Sequence, residues 1–301
     1  MKWVAAFFIF CVALFAYLHI VFHLKKSNEL EIYEMEQVSK DKLEEMCDIR
    51  QPVVFSFDCG DLLETTSKQY MEAHYPVFEV KVRNTKDTND DSELYMPLPF
   101  QAAKKLFEED KQGIYFSEKN QDFLEETGMM KHFQYNDEYL RPSMVSNCFY
   151  DVLFGANQTE TPFRYEVNYR NYYVVTEGSV TIKMAPPKSA KYLSPIQDYE
   201  QFEFLSPVNP WNPQPQYKAD FGKIKCLEFT LEKGKTIFIP AYWWYSMKLS
   251  QQTCISVLQY RTYMNNVSLL PQLLLYALQN QNIRRETAKK MDIPEEKENR
   301  L

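Results

Sequence analysis

The sequence predicts a mainly β domain of sandwich or barrel type with helical additions, an α+β arrangement behind one N-terminal membrane helix. Three observations predict this class: an uncharged apolar run at the N-terminus, a series of short β-rich segments in the second half, and a leucine-striped helix near the end. The chain has 301 residues, of which 45% are hydrophobic. This length is ample for one sizeable core and marginal for two, so we expect one main globular domain.

Composition disfavours several classes of function. The net charge of -7 leaves no basic footprint for nucleic acid, so no nucleic-acid partner is expected. Only 7 glycines occur, and neither a GxGxxG nor a GxxxxGK[ST] string is present, which disfavours phosphate cradles. The six cysteines lack CxxC spacing and are expected to be free buried thiols. The sequons at Asn157 and Asn266 matter only if the domain faces a lumen.

The N-terminal run predicts a membrane anchor over residues 1–26. From Trp3 to Leu24 the chain has 22 residues without Asp, Glu, Lys or Arg. As a helix this run is about 33 Å long, enough to cross a hydrocarbon core of about 30 Å, so the lipid bilayer is the first expected partner. A cleaved signal peptide is the rival, although its apolar region is usually about 7–15 residues. Lys2 and the terminal amine on one side balance Lys25 and Lys26 on the other, so charge does not indicate which side the domain faces.

The first half of the chain alternates helical and β-rich segments. Residues 27–45 are charged and predict a stalk and a short helix capped by Ser39, leading into a barrel domain over 46–265. Residues 51–57 are β-branched and aromatic and predict the first strand. Residues 77–84 alternate in the manner of a half-buried edge strand, and 99–110 carry apolar residues at helical spacing, which predicts a surface helix.

From Tyr165 onward short strands dominate. The stretch "NYYVVTEGSVTIKM" holds two β-rich runs around Gly178 and predicts a hairpin. Residues 185–221 are rich in proline and aromatics; they predict an ordered loop that supplies no central strand. Residues 224–240 and 253–263 add three more short strands, which together favour a sandwich or barrel.

The remaining residues, 266–301, predict a C-terminal helix and a polar tail. Four leucines fall on one helical face: Leu270, Leu274, Leu275 and Leu278. Such a face either packs on the barrel or pairs two protomers, so a homodimer through this helix is an open expectation.

The order of these signals resembles the JmjC and cupin-like hydroxylases, the group that includes the asparagine hydroxylase acting on hypoxia-inducible factor. The resemblance covers roughly residues 37–262. It rests on "RQPVVF" (50–55), on "TPFRYEVNYRNYYVVTEGSVTIKMAPP" (161–187), and on "LEKGKTIFIPAYWWY" (231–245). It implies a double-stranded β-helix of jelly-roll type with helical additions. It also implies a family site in which two histidines and one carboxylate bind Fe(II) and a lysine binds 2-oxoglutarate.

This chain departs from the family at those positions. It has four histidines, none in the predicted barrel strands, and Tyr245 stands where the distal histidine would be. The lysine for 2-oxoglutarate falls at Val180, and Lys183, three residues on, would face the other way.

The proximal pair aligns in two registers that both lack a histidine. Setting "TPFRYE" on the family motif places Arg164 and Glu166 at the ligand positions. Counting back from Gly178 places Tyr165 and Val167 there instead, with Asn171 on the family asparagine. A slip of one residue exchanges the two faces of a strand, so the registers predict different inward side chains.

The expected site is a pocket without metal or 2-oxoglutarate. Arg164 is expected to replace the metal charge by pairing with Glu166, while Tyr245 donates to that carboxylate. The alternatives are an unusual Fe(III) site and a non-metal pocket that uses Arg164. The two tryptophans are expected mainly to fill the core and mouth of the barrel. The candidate pocket residues are Arg164, Glu166, Asn171, Trp243, Trp244 and Tyr245.

Three functions remain open from the sequence. The first is a membrane-anchored cupin-like domain without iron and 2-oxoglutarate ligands that binds or scaffolds a protein or peptide, with residues 198–204 and 209–217 as a lip. The second is an oxygenase-like or other small-molecule enzyme with a rebuilt site around Arg164, Glu166 and Tyr245. The third is a structural membrane protein whose barrel simply packs.

Overall fold

Two facing β-sheets form the body of the protein in the computed structural model, which describes residues 2–36, 38–86 and 94–282. The strands are β1 Tyr33–Met35, β2 Val53–Phe55, β3 Glu79–Asn84, β4 Met96–Pro99, β5 Tyr115–Ser117, β6 Val145–Gly155, β7 Phe163–Arg164, β8 Arg170–Glu177, β9 Ser179–Ala185, β10 Ile196–Asp198, β11 Glu203–Ser206, β12 Leu227–Glu232, β13 Thr236–Phe238, β14 Trp244–Leu249 and β15 Cys254–Thr262. One sheet has nine strands in the order β1-β2-β13-β8-β15-β6-β5-β3-β4. The other has six in the order β10-β11-β7-β14-β9-β12.

Helices cover the outer face of the nine-stranded sheet, and a helix lies at each end of the described part of the chain. They are α1 Lys2–Leu24, α2 Lys40–Asp48, α3 Leu62–Thr65, α4 Lys68–His74, α5 Phe100–Glu109, α6 Gln121–Glu126, α7 Met130–Asn136, α8 Lys218–Phe221, α9 Tyr263–Ser268 and α10 Leu270–Asn282, with a 3₁₀ turn at Pro187–Tyr192. One apolar cluster packs α2 to α7 on the larger sheet, and a second fills the space between the two sheets. The mainly β architecture with helical additions is therefore confirmed.

The local helix signals agree with the structure. Ser39 caps α2, since its hydroxyl oxygen accepts a hydrogen bond from the backbone nitrogen of Lys42 at 3.4 Å. Helix α5 buries Phe100, Ala103 and Phe107 and leaves its other face to solvent, as a surface helix should.

The predicted hairpin around Gly178 is wrong in its pairing. Strand β8 pairs with β13 and β15 in the larger sheet, whereas β9 pairs with β12 and β14 in the smaller one. Gly178 has a φ of +69°, so the tight turn is real, but it carries the chain from one sheet to the other. Inward side chains such as Tyr173 and Val180 then meet across the core instead of lying side by side.

Several strands lie where the sequence did not predict them, among them the following two of the larger sheet. Tyr33–Met35, inside the predicted stalk, pairs in parallel with Val53–Phe55, so this segment is the edge of the larger sheet. Val145–Gly155 precedes the predicted start of the strand-rich region. It pairs along its length with β15, but Asn147 and Asp151 interrupt the apolar alternation that would have indicated it.

Edge positions also differ from expectation. Glu79–Asn84 lies between β5 and β4, because Met96–Pro99 takes the outer position that prolines tolerate. The proline-rich segment 185–221 is ordered, but it contains Ile196–Asp198 and Glu203–Ser206, which extend one side of the smaller sheet.

Helix α1 is long and apolar enough to span a membrane. It has 23 residues with a mean hydropathy of 2.5 over its most apolar window. A signal sequence near an N-terminus has the same properties, so length and composition alone do not distinguish a membrane span from a signal sequence.

Substituting Gly178 by alanine tests the crossing between the sheets. The new Cβ would lie 3.0 Å from the backbone nitrogen and Cα of Thr253, and φ is positive. We expect a loss of about 2–3 kcal/mol in the free energy of unfolding, measured by chemical denaturation. Gly234→Ala is the matched control: φ is +86° but nothing lies within 4 Å of its Cβ. That variant should lose only about 1 kcal/mol. Equal losses in the two variants would contradict the close approach at Gly178.

Candidate functional site

A cleft of about 410 Å³ opens between the two sheets. Its walls combine charged groups with aromatic rings from both sheets and from the segment after β5. Among the lining residues are Glu118, Arg164, Glu166, Tyr173, Tyr245 and Arg261.

Strand pairing decides which proximal residues face this cleft. Tyr245 on β14 lies opposite Arg164 on β7, and Arg164 and Glu166 both line the cleft. Tyr165 touches the rim, but its ring packs on Phe204 and Trp244 at centroid distances of 5.1 and 4.8 Å. Val167 is not among the residues that line the cleft and packs in an apolar cluster with Phe204 and Leu269. The direct alignment therefore gives the inward pair, and the one-residue slip does not.

The Tyr245 hydroxyl is the centre of a buried hydrogen-bond network. It accepts from the Nε of Arg164 at 3.2 Å and donates to Oε1 of Glu166 at 3.1 Å. The hydroxyl oxygens of Tyr245 and Tyr173 are 2.7 Å apart. Because the Tyr245 proton is donated to Glu166, Tyr173 is the donor in this second hydrogen bond. All three hydrogen-bonding positions of the Tyr245 hydroxyl are occupied in this way.

The ion-pair partner of Arg164 is Glu118 and not Glu166, contrary to expectation. Nη2 of Arg164 lies 2.6 Å from Oε2 of Glu118, and both side chains are almost completely buried. Glu166 instead interacts with the guanidinium through the intervening Tyr245 hydroxyl. Glu118 was not found from the sequence, since it lies 46 positions before Arg164 in a segment without a motif.

The pair continues into a larger charged cluster. Arg83 on β3 bridges Glu118 and Glu203 at 3.1 and 3.0 Å, and Lys119 lies 2.6 Å from Glu203. The Tyr95 hydroxyl is within 3.0 Å of both carboxylates. Each carboxylate therefore meets two cations, which is what makes the burial of these charges tolerable.

Local backbone structure positions Glu118. The following residue, Lys119, has a φ of +59°, and its backbone nitrogen donates to the Asp151 carboxylate at 2.6 Å. The nitrogen of Asn120 donates to the same carboxylate at 2.7 Å, while the Asn120 side chain donates to the carbonyl oxygen of Val152. Strand β6 thus fixes the turn that delivers Glu118 to Arg164.

The pKa shifts follow from burial and from these partners. Burial alone would raise the pKa of Glu118, but Arg164 and Arg83 outweigh it and hold the pKa at about 2. Burial raises the pKa of Glu166 by more than the nearby Arg164 guanidinium lowers it. Burial also raises the pKa of Tyr245 well above that of a free phenol. The phenol therefore stays protonated at neutral pH.

Three of the predicted pocket residues do not line the cleft. Asn171 donates from Nδ2 to the carbonyl oxygens of Asn168 and Ile239 and ties β8 to the segment after β13. Trp243 is buried between the sheets and donates to the carbonyl oxygen of Arg50, and Trp244 packs on Phe163 outside the barrel. All three side chains are buried and serve packing or backbone hydrogen bonding instead of lining the cleft.

The side chains at the family ligand positions do not make a donor set for Fe(II). A guanidinium has no lone pair to offer a cation, and a protonated phenol is a poor ligand. Within the described ranges, no three His, Cys, Asp or Glu side chains come together in a way that could hold a metal ion. Val180, at the position of the 2-oxoglutarate lysine, is buried in the apolar core, and Lys183 faces outward to Glu228.

One cation in the cleft has no carboxylate partner among the described residues. Arg261 lies between the rings of Phe149 and Phe202, each 5.0 Å from its guanidinium carbon, and its Nε donates to Oδ1 of Asn168. The stacked rings fix the guanidinium, while its terminal nitrogens make no hydrogen bond to residues 2–36, 38–86 or 94–282. Arg261 is the group in the cleft best placed to receive an anionic ligand.

Glu118→Gln tests the buried ion pair. The substitution leaves Arg164 with an uncharged neighbour in a water-excluded site, so we expect a loss of about 3–5 kcal/mol in the free energy of unfolding by chemical denaturation. Glu45→Gln is the control, because Glu45 pairs with Lys42 at an exposed position. That variant should change stability by less than about 0.5 kcal/mol. A small effect at Glu118 would mean that Arg164 does not depend on this carboxylate.

The depressed pKa of Glu118 predicts an acid-sensitive fold. The folded pKa of about 2 lies below the unfolded value of 4.5, so the stabilisation is complete above pH 4.5 and is lost as the pH falls toward 2. One group with this shift contributes about 3 kcal/mol. Unfolding free energies measured from pH 6 to 2 should fall more steeply for the natural chain than for Glu118→Gln. Parallel curves would show that another group sets the acid sensitivity.

Comparison with known proteins gives the family. Residues 39–260 match the family model described as a cupin-like domain. Over 105 residues, 35% of this chain, it is 26% identical to HSPB1-associated protein 1 of Mus musculus, covering 21% of that protein. It is 24% identical over 104 residues to the proteins of that name from Bos taurus and Homo sapiens, covering 34% of this chain and 22% and 21% of theirs. The aligned region thus spans about a fifth of these relatives. With the two facing sheets and a family match over most of its length, the chain belongs to the cupin-like domain family.

Proposed function

We propose that this chain is a membrane-anchored cupin-like protein that has lost the iron and 2-oxoglutarate sites and acts as a binding or scaffolding module. The observation that carries the proposal is the buried Arg164 guanidinium, which is paired with Glu118 and hydrogen-bonded to Tyr245. It occupies the position of a histidine ligand in the family pattern.

Electrostatics supports the loss of the metal site. A divalent cation about 4 Å from a guanidinium would be repelled by about 8 kcal/mol at an effective dielectric constant of about 20. Nearby carboxylates would normally offset this repulsion, but Glu118 and Glu203 are already engaged by Arg83, Arg164 and Lys119. Releasing them for a metal would leave buried cations without partners.

Contacts between α1 and the domain support an anchor that is retained. The ring of His23 is buried against Thr262, and Nη2 of Arg50 donates to the carbonyl oxygen of Phe22. Cleavage after the apolar run would remove these contacts and leave the Arg50 guanidinium, which has no carboxylate partner in the described part of the chain, beside an open surface. A signal peptide has no reason to be packed into the mature fold.

The open cleft between the two sheets supports a binding function over a purely structural role. Its aromatic walls and the Arg261 guanidinium are suited to a polypeptide segment with a carboxylate. Relatives named for association with HSPB1 support a protein partner for this chain as well. We place the partner along the lip formed by residues 198–204, of which Phe202 and Glu203 line the cleft.

A second candidate function is an enzyme with a rebuilt site. What favours it is that Glu166 and the Tyr245 hydroxyl lie 3.1 Å apart on the same open cleft, and the raised pKa of Glu166 suits a proton-transfer group. The metal experiment below separates the oxygenase form of this candidate from the binding module.

Metal and cosubstrate binding decide the main proposal. Full-length protein purified without chelator should contain no stoichiometric transition metal by plasma mass spectrometry. Its melting temperature should not shift with Fe(II), Mn(II) and 2-oxoglutarate, because Arg164 repels the cation.

The matched control is the double variant Arg164→His and Tyr245→His, which places two imidazoles beside Glu166. The melting temperature of this variant should rise when Mn(II) is added. Stoichiometric metal in the natural chain, or a shift that needs metal and 2-oxoglutarate together, would refute the binding-module proposal and support the oxygenase.

A further inference from the structure

One face of the last two turns of α1 is covered by the domain. Every residue of α1 up to Phe15 is exposed, but the exposure falls on one helical face nearer the C-terminal end, at Ala16, His19, Ile20 and His23. This face packs on α9, which follows the longest-paired strand of the larger sheet.

Two contacts lock this packing. Nδ1 of His23 donates to the carbonyl oxygen of His19 at 2.8 Å, which leaves Nε2 to accept from the Thr262 hydroxyl at 3.1 Å. The same hydroxyl oxygen accepts from the nitrogen of Asn265 and so caps α9. The guanidinium of Arg50 lies between the rings of Phe22 and Tyr169. The end of α1 and the start of α9 are therefore held as one unit.

Helix length fixes the depth of this unit in a bilayer. If the covered turns stood in water, only residues 3–15 would remain for the membrane, about 20 Å of helix against a hydrocarbon core of about 30 Å. The covered turns must then lie within the bilayer boundary for α1 to span it. Helix α9, which packs on them, must lie at the same depth.

The outward surface of α9 and α10 is apolar. On α9, Tyr263 and Val267 are 60% and 37% exposed and lie one turn apart. Helix α10 packs inward through Leu273, which joins the cluster of Val167 and Phe204, and through Tyr276, 5.4 Å from Phe202. Its four other leucines fall in an arc of about 140° on the opposite side. They are Leu270, Leu274, Leu275 and Leu278, exposed by 45–59%.

We propose that α9 and α10 lie in the membrane interface, with these four leucines among the lipid acyl chains. This inference rests on the proposed membrane anchoring by α1. The depth argument brings α9 to the bilayer, α10 follows it after a single residue, and Tyr263 has the amphipathic ring that favours the interface.

Lipid fits this face better than a second copy of the chain does. Four half-exposed leucines offer on the order of 400 Å² per protomer, about half of the roughly 800 Å² per partner in a stable interface. A bilayer needs no matching surface, and each buried CH₂ group contributes about 0.8 kcal/mol. The homodimer expected through this helix is therefore the rival outcome of the test.

Photo-crosslinking in proteoliposomes tests the inference. The full chain is reconstituted into phosphatidylcholine and phosphatidylserine with a benzophenone amino acid at Leu274, at Phe8 or at Tyr135, and the adducts are identified by mass spectrometry. Phe8 lies in the exposed part of α1 and reports the membrane span itself; Tyr135 is an 80% exposed residue on α7 and reports background. All three positions are exposed, so the fold should tolerate the probe.

We expect lipid adducts at Leu274 at a yield comparable with Phe8 and at least about threefold above Tyr135. Chain-to-chain adducts at Leu274 would overturn the inference in favour of a homodimer. Lipid adducts at Phe8 with none above background at Leu274 would overturn it while leaving the anchor intact. Absence of lipid adducts at Phe8 would refute the membrane span, and the inference with it.

Discussion

The Arg164 and Glu118 ion pair is the interaction on which the rest of the site depends. Both side chains are buried, so each would be costly without the other. Through Tyr245 and Arg83 the pair connects strands of both sheets, β7 and β14 on one side and β3 on the other. Fixed charges and hydrogen bonds therefore link these strands, and the cleft remains open above them.

The sequence was sufficient to find half of this site. The motif spacing identified Arg164, Glu166 and Tyr245, because ligand positions in the family are fixed relative to one another along the strands. Glu118 could not be found in this way: it reaches Arg164 through a turn held by the Asp151 carboxylate, and no local pattern reports a partner on a distant strand. The ambiguity between the two registers also needed the pairing of Tyr245 with Arg164 to be resolved.

The positions of the strands along the chain were easier to predict than the pairing of one strand with another. Alternating side chains show that a segment is half-buried, but not which strand lies beside it. Gly178 illustrates the difference, since its positive φ was inferred correctly while the strands it joins belong to different sheets. Strand β6, in contrast, was not predicted as a strand at all. The Asp151 carboxylate, in the middle of this strand, accepts hydrogen bonds from the backbone nitrogens of Lys119 and Asn120, and its charge interrupts the apolar alternation that would indicate a strand.

Helix α1 and the cleft are connected through few side chains. Phe202 lines the cleft, stacks on Arg261 and contacts Tyr276 of α10. On the other rim Tyr165 contacts Tyr242, whose ring lies 4.1 Å from Nζ of Lys26, just beyond α1. If α10 lies in the membrane interface, the opening beside Phe202 is held close to the headgroups. A partner that reaches Arg261 must then approach along the bilayer, which favours a juxtamembrane polypeptide over a large soluble protein.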